Sequence, residues 1–560
     1  MPKFPKAMQI VRTTALSVFM GAAAHAAHAE TTLYINGKIY TGAAAGFAQA
    51  MAVTDEKIAA VGTTADIQKL AQNGARVIDL HGSTVIPGLI DSHTHALFGS
   101  LALNGLNLAT PEKTIWPDEK PDELIAALRT FAAAHPTDKI LFARTTFDVA
   151  HPPSHEILDR AIPDRPLVVH NVSEHALWVN AKMLALAGIT NKPLPDASID
   201  AGISRNPDGS PTGVIREGTM EVIEGPALAL LTKEQKLAVL KKGFQYLNSF
   251  GITMINNATG SLAEIELYGT LRDQKQLTLR TRTAFGAVAA PHHLTPQFLK
   301  DIEEARTRFH DDWVSSNLIK FFMDGSSAAP WPPIYTPEEF KTIATELNKR
   351  GFKIMTHALQ AQSVTMALNV YEQIEAETGK HDQRFRIEHG DRLTPADFQR
   401  FSKLSLVASM QPSFCCGPAP TDGTMSSPWR SLLESGAHLA FSSDWPCSWP
   451  PSPMAGIQQA VTRDVWVGRG YGGAQTGRTR NGEVNTPSER LTVTQALDAY
   501  TKGGAYAAFV DDKLGTLEPG KLADFAVLAK DIFTIPGTDI GSTTVKMTVV
   551  GGKMVYGSAP

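Results

Sequence analysis

The chain has 560 residues, of which 43% are hydrophobic and 19% are charged, and its formal net charge at pH 7 is −4. This length exceeds the usual size of one domain, and the composition is typical of a globular protein in water. Because the charge is slightly negative and no basic patch stands out, nucleic acids and anionic membrane surfaces are excluded as expected partners.

The first 29 residues have the pattern of a secretory signal peptide. Three basic residues precede the apolar run "TTALSVFMGAAA", and Ala27 and Ala29 offer a small-residue cleavage site. An ordinary amphipathic helix is the alternative, but the run lacks helical periodicity and is too short to span a bilayer. No later run is long and apolar enough for a membrane span. We therefore expect an exported, periplasmic protein whose mature chain begins near Glu30.

Both ends of this mature chain carry short alternating patterns that predict β-strands. Turns are predicted at Asn36-Gly37 and Asp55-Glu56, and again at Gly551-Gly552. Since neither end can bury a core alone, we expect the two to combine into one small β-sandwich. The predicted boundaries are 30–86 and 505–560 for the two parts of the sandwich and 87–504 for the domain between them.

Between these ends, short apolar strand candidates alternate with helical patterns. The eight candidates are "VIPGLIDSHTH", "GITMINNA", "LTLRTRTAFG", "NLIKFFMDG", "FKIMTHA", "RFRIEHG", "LSLVASM" and "AHLAFSSDW". Repeated βα units of this number predict an α/β fold of the TIM (β/α)8 barrel type. The segment from about 101 to 242 is too long and too rich in Pro, Asn and Asp for this pattern. We interpret it as an insertion after the first strand that shapes the pocket.

Polar residues stand at the ends of several of these strands. In "DSHTH" the two histidines are two residues apart, so both project from one face of an extended strand. Because the carboxyl ends of barrel strands share one mouth, we expect the polar residues to converge there. They are His93, His95, His357, His389 and Asp444, with Lys320 inside a fourth strand. Four histidines and a carboxylate suit zinc or a similar divalent ion.

Lys320 needs a separate explanation. A charged ammonium buried beside cations would be deprotonated, and a neutral amine can react with carbon dioxide. The resulting carbamate is a carboxylate on a long stem that could bridge two metal ions. Each residue alone has a simpler explanation, such as a core histidine, an ion-paired lysine or a loop-capping aspartate. Their occurrence in chain order on predicted strands one, four, five, six and eight favours a metal centre.

This pattern resembles the amidohydrolase superfamily of metal-dependent hydrolases. The resemblance rests on "DSHTH", on the later lysine, histidines and aspartate, and on "GTLEPGKLADFAVL" near the end. It covers nearly the whole mature chain. The motifs "EHALWVNAKMLALAGI", "GVIREG", "IKFFMDGS" and "SSDWP" are most similar to the branch that contains N-substituted formamide deformylase.

The resemblance implies two divalent metal ions, with zinc expected, and a role for each ligand. His93 and His95 would bind the more buried ion with Asp444, His357 and His389 would bind the outer ion, and carboxylated Lys320 would bridge them. A hydroxide activated by the metals would attack a carbonyl group, and Asp444 would carry its proton to the leaving nitrogen. The implied reaction is hydrolysis of a non-peptide carbon–nitrogen bond in a small amide-type substrate.

Residues of the insertion and neighbours of the ligands are candidates for substrate binding. They are His175, Arg216, Glu217 and Asp324. Trp178 and Trp445 are also near, but we interpret them as packing residues. Arg216 and Glu217 could equally form a solvated ion pair.

Four other functions compete with this interpretation. A mononuclear deaminase of the same superfamily has no need of Lys320, whereas a lactonase, esterase or phosphotriesterase would use the same ligands. A non-catalytic binding protein on a retained barrel would be expected to have lost some ligands. A periplasmic solute-binding module would have two α/β lobes, which the eight-strand count opposes. The oligomeric state is left open, with a homodimer compatible.

The cysteines do not predict a disulfide framework. Cys415 and Cys416 are adjacent and would make only a strained bridge with each other, and a bridge to Cys447 is left open. Buried free thiols are expected.

Overall fold

The computed structural model describes residues 30–71, 74–110, 114–286, 294–325, 334–416, 420–464 and 486–560. The predicted signal peptide, residues 1–29, lies outside these ranges. The described strands are β1 (Thr31–Ile35), β2 (Lys38–Tyr40), β3 (Phe47–Ala48), β4 (Ala50–Thr54), β5 (Lys57–Gly62), β6 (Arg76–Asp79), β7 (Thr84–Pro87), β8 (Leu89–Thr94), β9 (Leu106–Asn107), β10 (Leu141–Thr145), β11 (Leu167–Asn171), β12 (Ala176–Val179), β13 (Ile203–Arg205), β14 (Pro211–Arg216), β15 (Ile252–Gly260), β16 (Arg280–Gly286), β17 (Val314–Phe322), β18 (Lys353–Ala358), β19 (Arg386–His389), β20 (Arg392–Leu393), β21 (Val407–Met410), β22 (Met425–Ser426), β23 (His438–Phe441), β24 (Phe525–Leu528), β25 (Val545–Val550) and β26 (Lys553–Gly557).

Helices connect most of these strands. The described α-helices are α1 (Thr64–Gln68), α2 (Ala96–Asn104), α3 (Pro121–Ala134), α4 (His155–Ala161), α5 (Ala181–Leu186), α6 (Ala197–Asp200), α7 (Glu221–Ala229), α8 (Lys233–Asn248), α9 (Leu262–Asp273), α10 (Pro296–Arg308), α11 (Pro337–Lys349), α12 (Ala361–Thr378), α13 (Phe398–Lys403), α14 (Trp429–Glu434), α15 (Pro453–Thr462), α16 (Val493–Tyr500) and α17 (Lys502–Ala507). Several begin at a threonine whose side chain caps the first turn, as Thr232 and Thr336 do for α8 and α11. Within the described ranges, none is both long enough and apolar enough to cross a membrane.

A parallel sheet of eight strands forms the centre of the molecule. Its order is β8, β15, β16, β17, β18, β19, β21 and β23, and each of the eight predicted strand candidates overlaps one of these strands. A parallel bridge between Thr94 and Trp445 joins the two outermost members, so the sheet is nearly closed. The prediction of an α/β fold built on an eight-stranded barrel is confirmed.

The apolar run that leads to His93 is two strands rather than the single strand predicted. β7 pairs with β2 and β24 outside the barrel, and β8 begins the barrel after Gly88. A Cβ atom on Gly88 would lie 2.2 Å from the Thr253 hydroxyl oxygen, so only glycine permits this close approach. The backbone can therefore change sheets at this point.

The two ends of the chain meet in a second pair of sheets. One has the order β5, β4, β1, β6, and the other has the order β26, β25, β24, β7, β2, β3. Side chains from both sheets share one buried cluster, in which the Tyr34 and Phe525 rings lie 4.9 Å apart. The C-terminal strands therefore complete a sheet that the N-terminal strands begin. That the two sheets form a separate β-sandwich domain stays a prediction.

Two of the three predicted hairpin turns are confirmed. β4 and β5 pair around Asp55-Glu56, and β25 and β26 pair around Gly551-Gly552. The hairpin at Asn36-Gly37 is wrong, because β1 already pairs with β4 on one edge and β6 on the other. The chain turns at Asn36, which has φ 55°, and β2 enters the other sheet.

The segment 101–242 contains a sheet of its own. Six strands pair in the order β13, β14, β12, β11, β10, β9, and Trp178 of β12 lies fully buried in one of the apolar clusters beside that sheet. The last helix, α8, packs against α2 and leads into the second barrel strand. The segment therefore leaves the barrel after its first strand and returns before its second.

Candidate metal centre

The seam between the first and last barrel strands places Asp444 beside two histidines. The Asp444 amide donates to the His93 carbonyl oxygen at 2.8 Å, and the His95 amide donates to the Trp445 carbonyl oxygen at 2.8 Å. Asp444 has φ 55°, which turns its side chain towards the barrel mouth. Its Oδ1 lies 3.2 Å from His95 Nε2 and 3.5 Å from His93 Nε2. These three side chains form a cluster with the spacing needed to hold a metal ion.

Hydrogen bonds at the other ring nitrogen orient both of these imidazoles. His93 Nδ1 donates to Glu388 Oε2 at 2.5 Å, and His95 Nδ1 lies 2.8 Å from Thr259 Oγ1. Burial lowers the pKa of His93 to about 4, so its ring is neutral at pH 7. With the proton on Nδ1, the lone pair of His93 Nε2 faces Asp444, as metal ligation requires.

Lys320 reaches the same point from the fourth barrel strand. Its side chain is 1% exposed, and Nζ lies 3.3 Å from His93 Nε2 and 4.5 Å from the centre of the Phe322 ring. Burial lowers the pKa of the Lys320 amine to about 8, although the nearby carboxylates of Glu388 and Asp444 act to raise it. A neutral amine is therefore accessible near physiological pH.

His357 and His389 extend the cluster towards the mouth of the barrel. Their ring centres are 4.5 Å apart, and the His389 ring is 4.8 Å from that of His93. His389 Nδ1 donates to Gln411 Oε1 at 2.7 Å, while His357 Nε2 lies 3.3 Å from Asp324 Oδ1. Burial lowers the pKa of both imidazoles. The structure thus brings all six candidate ligand side chains to one end of the barrel.

Two of the four substrate-binding candidates lie beside this cluster. His175 Nδ1 lies 2.8 Å from Glu217 Oε2, and the His175 ring centre is 5.5 Å from that of His357. Glu217 also packs against Gly325, since a Cβ atom added to Gly325 would lie 2.9 Å from Glu217 Oε1. Burial opposes protonation of His175, but the Glu217 carboxylate outweighs it and raises the pKa of the ring. The pair extends from the 101–242 segment over the outer histidine.

The other two candidates have different surroundings. Asp324 is buried, and its carboxylate accepts hydrogen bonds from the Leu359 and Gln360 amides at 3.0 Å and from the Ser363 hydroxyl. It therefore orients His357 and is not directed at a substrate. Arg216 is half-buried at the end of β14, and no contact between its guanidinium and the described ligand residues is seen.

Three residues that hold the histidines were missed by the sequence analysis: Glu388, Gln411 and Thr259. Glu388 stands directly before His389 in "RIEHG". Arg386 and Glu388 are two residues apart, so both project from one face of the strand, and this pair of opposite charges was an available signal. Glu388 and His389 both face the site because His389 has φ 70°, which breaks the alternation of the strand. Gln411 follows β21, a barrel strand that carries none of the six candidate ligands. No sequence signal distinguishes Thr259.

The 101–242 segment is also hydrogen-bonded to the loop that follows Asp444. Arg144, which is 2% exposed, donates from Nη2 to the Pro446 carbonyl oxygen at 2.9 Å. The Cys447 thiol donates to the Ser173 carbonyl oxygen at 3.5 Å. The segment therefore supports the backbone that positions Asp444. Trp445 in this loop is fully buried and packs on the Trp449 ring, in keeping with its interpretation as a packing residue.

The cysteine prediction is wrong for two of the three residues. Cys415 and Cys416 form a disulfide, whereas Cys447 is a buried free thiol. The chain turns at Cys416, where φ is 79°, and this turn lets adjacent sulfurs meet. Cys447 is in the loop after β23 and bonds to Ser173 instead.

Comparison with known proteins gives consistent matches over nearly the whole chain. The model of the family described as "Amidohydrolase family" matches residues 76–556. The chain is 27% identical to Protein LONG AFTER FAR-RED 3 of Arabidopsis thaliana, over 94% of this chain and 91% of the relative. It is 24% identical to N-substituted formamide deformylase of Arthrobacter pascens, over 91% of this chain and 95% of the relative.

A solved structure shows the same fold. It is described as an uncharacterized metal-dependent hydrolase from Pyrococcus horikoshii OT3, and it matches with a TM-score of 0.69 at 21% identity. The match covers 91% of this chain and 99% of the other. From the family match over residues 76–556, the chain belongs to the amidohydrolase family.

Proposed function

We propose that this protein is a metal-dependent hydrolase that cleaves a non-peptide carbon–nitrogen bond in a small amide or formamide-like substrate. The observation that carries the proposal is the cluster of His93, His95 and Asp444, whose ligand atoms converge at the end of the barrel. Membership of the amidohydrolase family and similarity to a formamide deformylase support the choice of bond.

The donor set fits a pair of divalent ions. Asp444 Oδ1 is buried and has no hydrogen-bond partner among the described residues, although two imidazole nitrogens face it. An unpartnered buried carboxylate oxygen is costly unless a cation binds it. His93, His95 and Asp444 would hold one ion, with zinc expected, and His357 and His389 would hold the second.

Lys320 would join the two ions as a carbamate. Its amine would attack carbon dioxide, forming a carbon–nitrogen bond and releasing a proton. The low pKa of about 8 supports this step, because only the neutral amine carries the lone pair that attacks. The position of Nζ 3.3 Å from His93 Nε2 supports a ligand role for the modified side chain.

The catalytic role falls to Asp444. Bound divalent ions would supply Lewis-acid chemistry, which activates water and polarises a carbonyl group. Burial opposes ionisation of Asp444, but the imidazoles of His93 and His95 hold its pKa well below the usual range. It is therefore ionised at neutral pH, can accept a proton from the attacking water, and can return that proton to the leaving nitrogen.

His175 and Glu217 would contact the substrate. Because His175 Nδ1 is engaged by Glu217 Oε2 at 2.8 Å, Nε2 is the nitrogen left to face the substrate. A donor at this position, beside His357, could hydrogen-bond the carbonyl oxygen of an amide. We expect His175→Ala to raise KM and to lower kcat, with metal content unchanged. A variant with unaltered kinetics would remove His175 from the substrate site.

The proposal is tested by metal analysis combined with a substrate screen. We expect about two metal ions per chain and turnover of amides or formamides, with Asp444→Asn folded but slower by orders of magnitude. The exposed carboxylate of Asp512 offers a matched control, since Asp512→Asn should keep wild-type turnover. Undiminished turnover of Asp444→Asn would reject its role as proton carrier.

The same screen separates the other functions. Turnover of lactones or esters without turnover of amides would replace the proposed substrate class. One tightly bound ion together with release of ammonia from an amino-heterocycle would indicate a mononuclear deaminase. Retention of every measured activity after removal of the metals would end the proposal of metal-dependent catalysis.

We also propose that the protein is exported and that its terminal sheets form a β-sandwich domain. Export rests on the pattern of residues 1–29, and N-terminal sequencing of the mature protein should begin near Glu30. The sandwich is supported by the cluster that Tyr34 and Phe525 share between the two sheets. Limited proteolysis that removed one chain end and left the other end folded would contradict it.

A further inference from the structure

Arg282 is a buried cation in the barrel that has no carboxylate partner among the described residues. The residue is 5% exposed and lies on β16. Its Nη1 donates to the Ala508 carbonyl oxygen and its Nη2 donates to Asn317 Oδ1, but Nε has no hydrogen-bond partner in the described part of the chain. No described carboxylate lies within ion-pair distance of this guanidinium. A buried charge in this state is costly unless an opposite charge approaches it.

The neighbours of Arg282 add to the positive charge. The ring of Phe509 has three cations around it: the guanidinium carbons of Arg282 and Arg384 lie 5.2 and 4.7 Å from its centre, and Lys353 Nζ lies 4.9 Å away. Burial, together with the nearby guanidinium groups of Arg386 and Arg384, lowers the pKa of Arg282 to about 9.

The carboxylates of this region already have partners. Asp382 and Asp511 lie 2.8 and 2.6 Å from Arg384. Arg386 is paired at 2.7 Å with Glu388, which lies on the same strand. Among the guanidinium groups of Arg282, Arg384 and Arg386, that of Arg282 is therefore the one whose charge no described carboxylate balances.

A second unpartnered side chain lies beside Arg282. Asn256 on β15 is its register partner in the parallel pair, and it is fully buried. Neither Nδ2 nor Oδ1 of Asn256 has a hydrogen-bond partner among the described residues. Arg386 Nη1, also fully buried, is unpartnered in the same way. Several free donors therefore lie in the same part of the barrel.

Arg282 itself lies away from the metal centre. Lys320 is in register with Gly286, which is four residues beyond Arg282 on the same strand. At about 3.3 Å per residue, Arg282 and Gly286 are roughly 13 Å apart along that strand.

We infer that the barrel interior binds a small monovalent anion, chloride or one of similar size, between Arg282 Nε and Asn256 Nδ2. The anion balances the charge of Arg282 and accepts hydrogen bonds from donors that otherwise have none. A single missing negative charge in a buried site selects a monovalent ion and excludes phosphate. The site is not part of the proposed catalytic machinery, so its test does not depend on the identity of the substrate.

The first test compares thermal unfolding of the full protein in sodium chloride and in sodium gluconate at equal ionic strength. Gluconate is too large for a buried site of this kind. We expect the Tm to rise saturably with chloride, by about 2 °C at tenfold excess over the dissociation constant. Equal Tm values in the two salts over the whole concentration range would overturn the inference and leave buried water as the partner of these donors.

Two variants locate the effect. Arg282→Met and Asn256→Ala should each abolish the chloride dependence of Tm. The control is Arg280→Met, because Arg280 is also fully buried on β16 but donates from Nε to Asp524 Oδ2 at 2.8 Å and from Nη2 to Asp524 Oδ1 at 3.0 Å. We expect this control to keep the chloride response. A chloride response that survives in Asn256→Ala and Arg282→Met would place the anion elsewhere and overturn the assignment.

A crystallographic measurement decides the matter even if Arg282→Met fails to fold. Wild-type crystals grown in sodium bromide should give an anomalous peak within hydrogen-bond distance of Arg282 Nε and Asn256 Nδ2. Bromide peaks confined to surface cations would show adventitious ions only and would overturn the proposal.

Discussion

The pair formed by Glu388 and Arg386 links stability to the metal centre. Both side chains are fully buried, and Glu388 accepts from Arg386 Nε at 2.7 Å, from Arg386 Nη2 at 3.0 Å and from His93 Nδ1 at 2.5 Å. Glu388→Gln keeps the shape of the side chain but removes its charge. The guanidinium is then left without a counter-charge, and the imidazole loses its strongest acceptor.

The size of this effect follows from the distances. Two unit charges about 4 Å apart attract by about 4 kcal/mol at an effective dielectric constant of 20, and loss of one partner of a buried pair costs about 3–5 kcal/mol. We therefore expect Glu388→Gln to lower the free energy of unfolding by about 3–5 kcal/mol. Metal affinity should fall by about 10- to 100-fold, because His93 is less firmly oriented.

Urea unfolding of the metal-free protein and competition with a chelator measure the two effects. The double variant Glu388→Gln/Arg386→Met should recover a large part of the stability but none of the metal affinity. Glu346→Gln serves as the control, since Glu346 pairs with Arg350 on the exposed surface of α11 and should contribute little. Wild-type stability together with wild-type metal affinity in Glu388→Gln would refute this account of the pair.

Three further predictions concern other parts of the molecule. Gly88→Ala should destabilise the protein by about 1–3 kcal/mol, because its Cβ would lie 2.2 Å from the Thr253 hydroxyl; a Tm equal to that of the wild type would contradict this. The pKa of His93, lowered by burial to about 4, predicts that the metal-free protein loses about 3 kcal/mol as pH falls from 6.5 to 4, because the unfolded state binds a proton that the folded state does not. Thermal unfolding across this range should show a shallower pH dependence in His93→Asn, and an identical slope would count against it. Arg144→Met removes the hydrogen bond to the Pro446 carbonyl oxygen and should lower kcat for the proposed reaction by about 10- to 100-fold with metal content unchanged. Loss of metal with kcat per bound metal unaltered would instead assign Arg144 a purely structural role.

The barrel could be predicted because its signal is local. Each of the eight strands is a short apolar run, and the helices between them carry their own capping residues, such as Thr232 before α8. Ligand candidates could be found for the same reason. A polar residue at the end of an apolar strand is visible in the sequence, and parallel strands bring such residues to one edge.

The errors arose where a choice depended on how strands pair or on the backbone conformation of one residue. The Asn36-Gly37 dipeptide favours a hairpin, but β1 has both edges occupied, and β2 therefore joins another sheet. The bridge between Cys415 and Cys416 depends on the backbone turn at Cys416. Neither the pairing of a sheet nor the φ of one residue can be deduced from neighbouring letters alone.

The amino-acid sequence by itself determined the α/β class, the eight barrel strands and the identities of the candidate ligands, because these depend on periodicity and residue chemistry. Only the tertiary structure decided which side chains orient those ligands and which charges remain unpaired. His389 and Glu388 face one site through a positive φ, and Arg282 lacks a carboxylate partner within the described ranges because the carboxylates of Asp382 and Asp511 are paired with Arg384. Such features depend on distances between residues far apart in the chain, which sequence order does not specify.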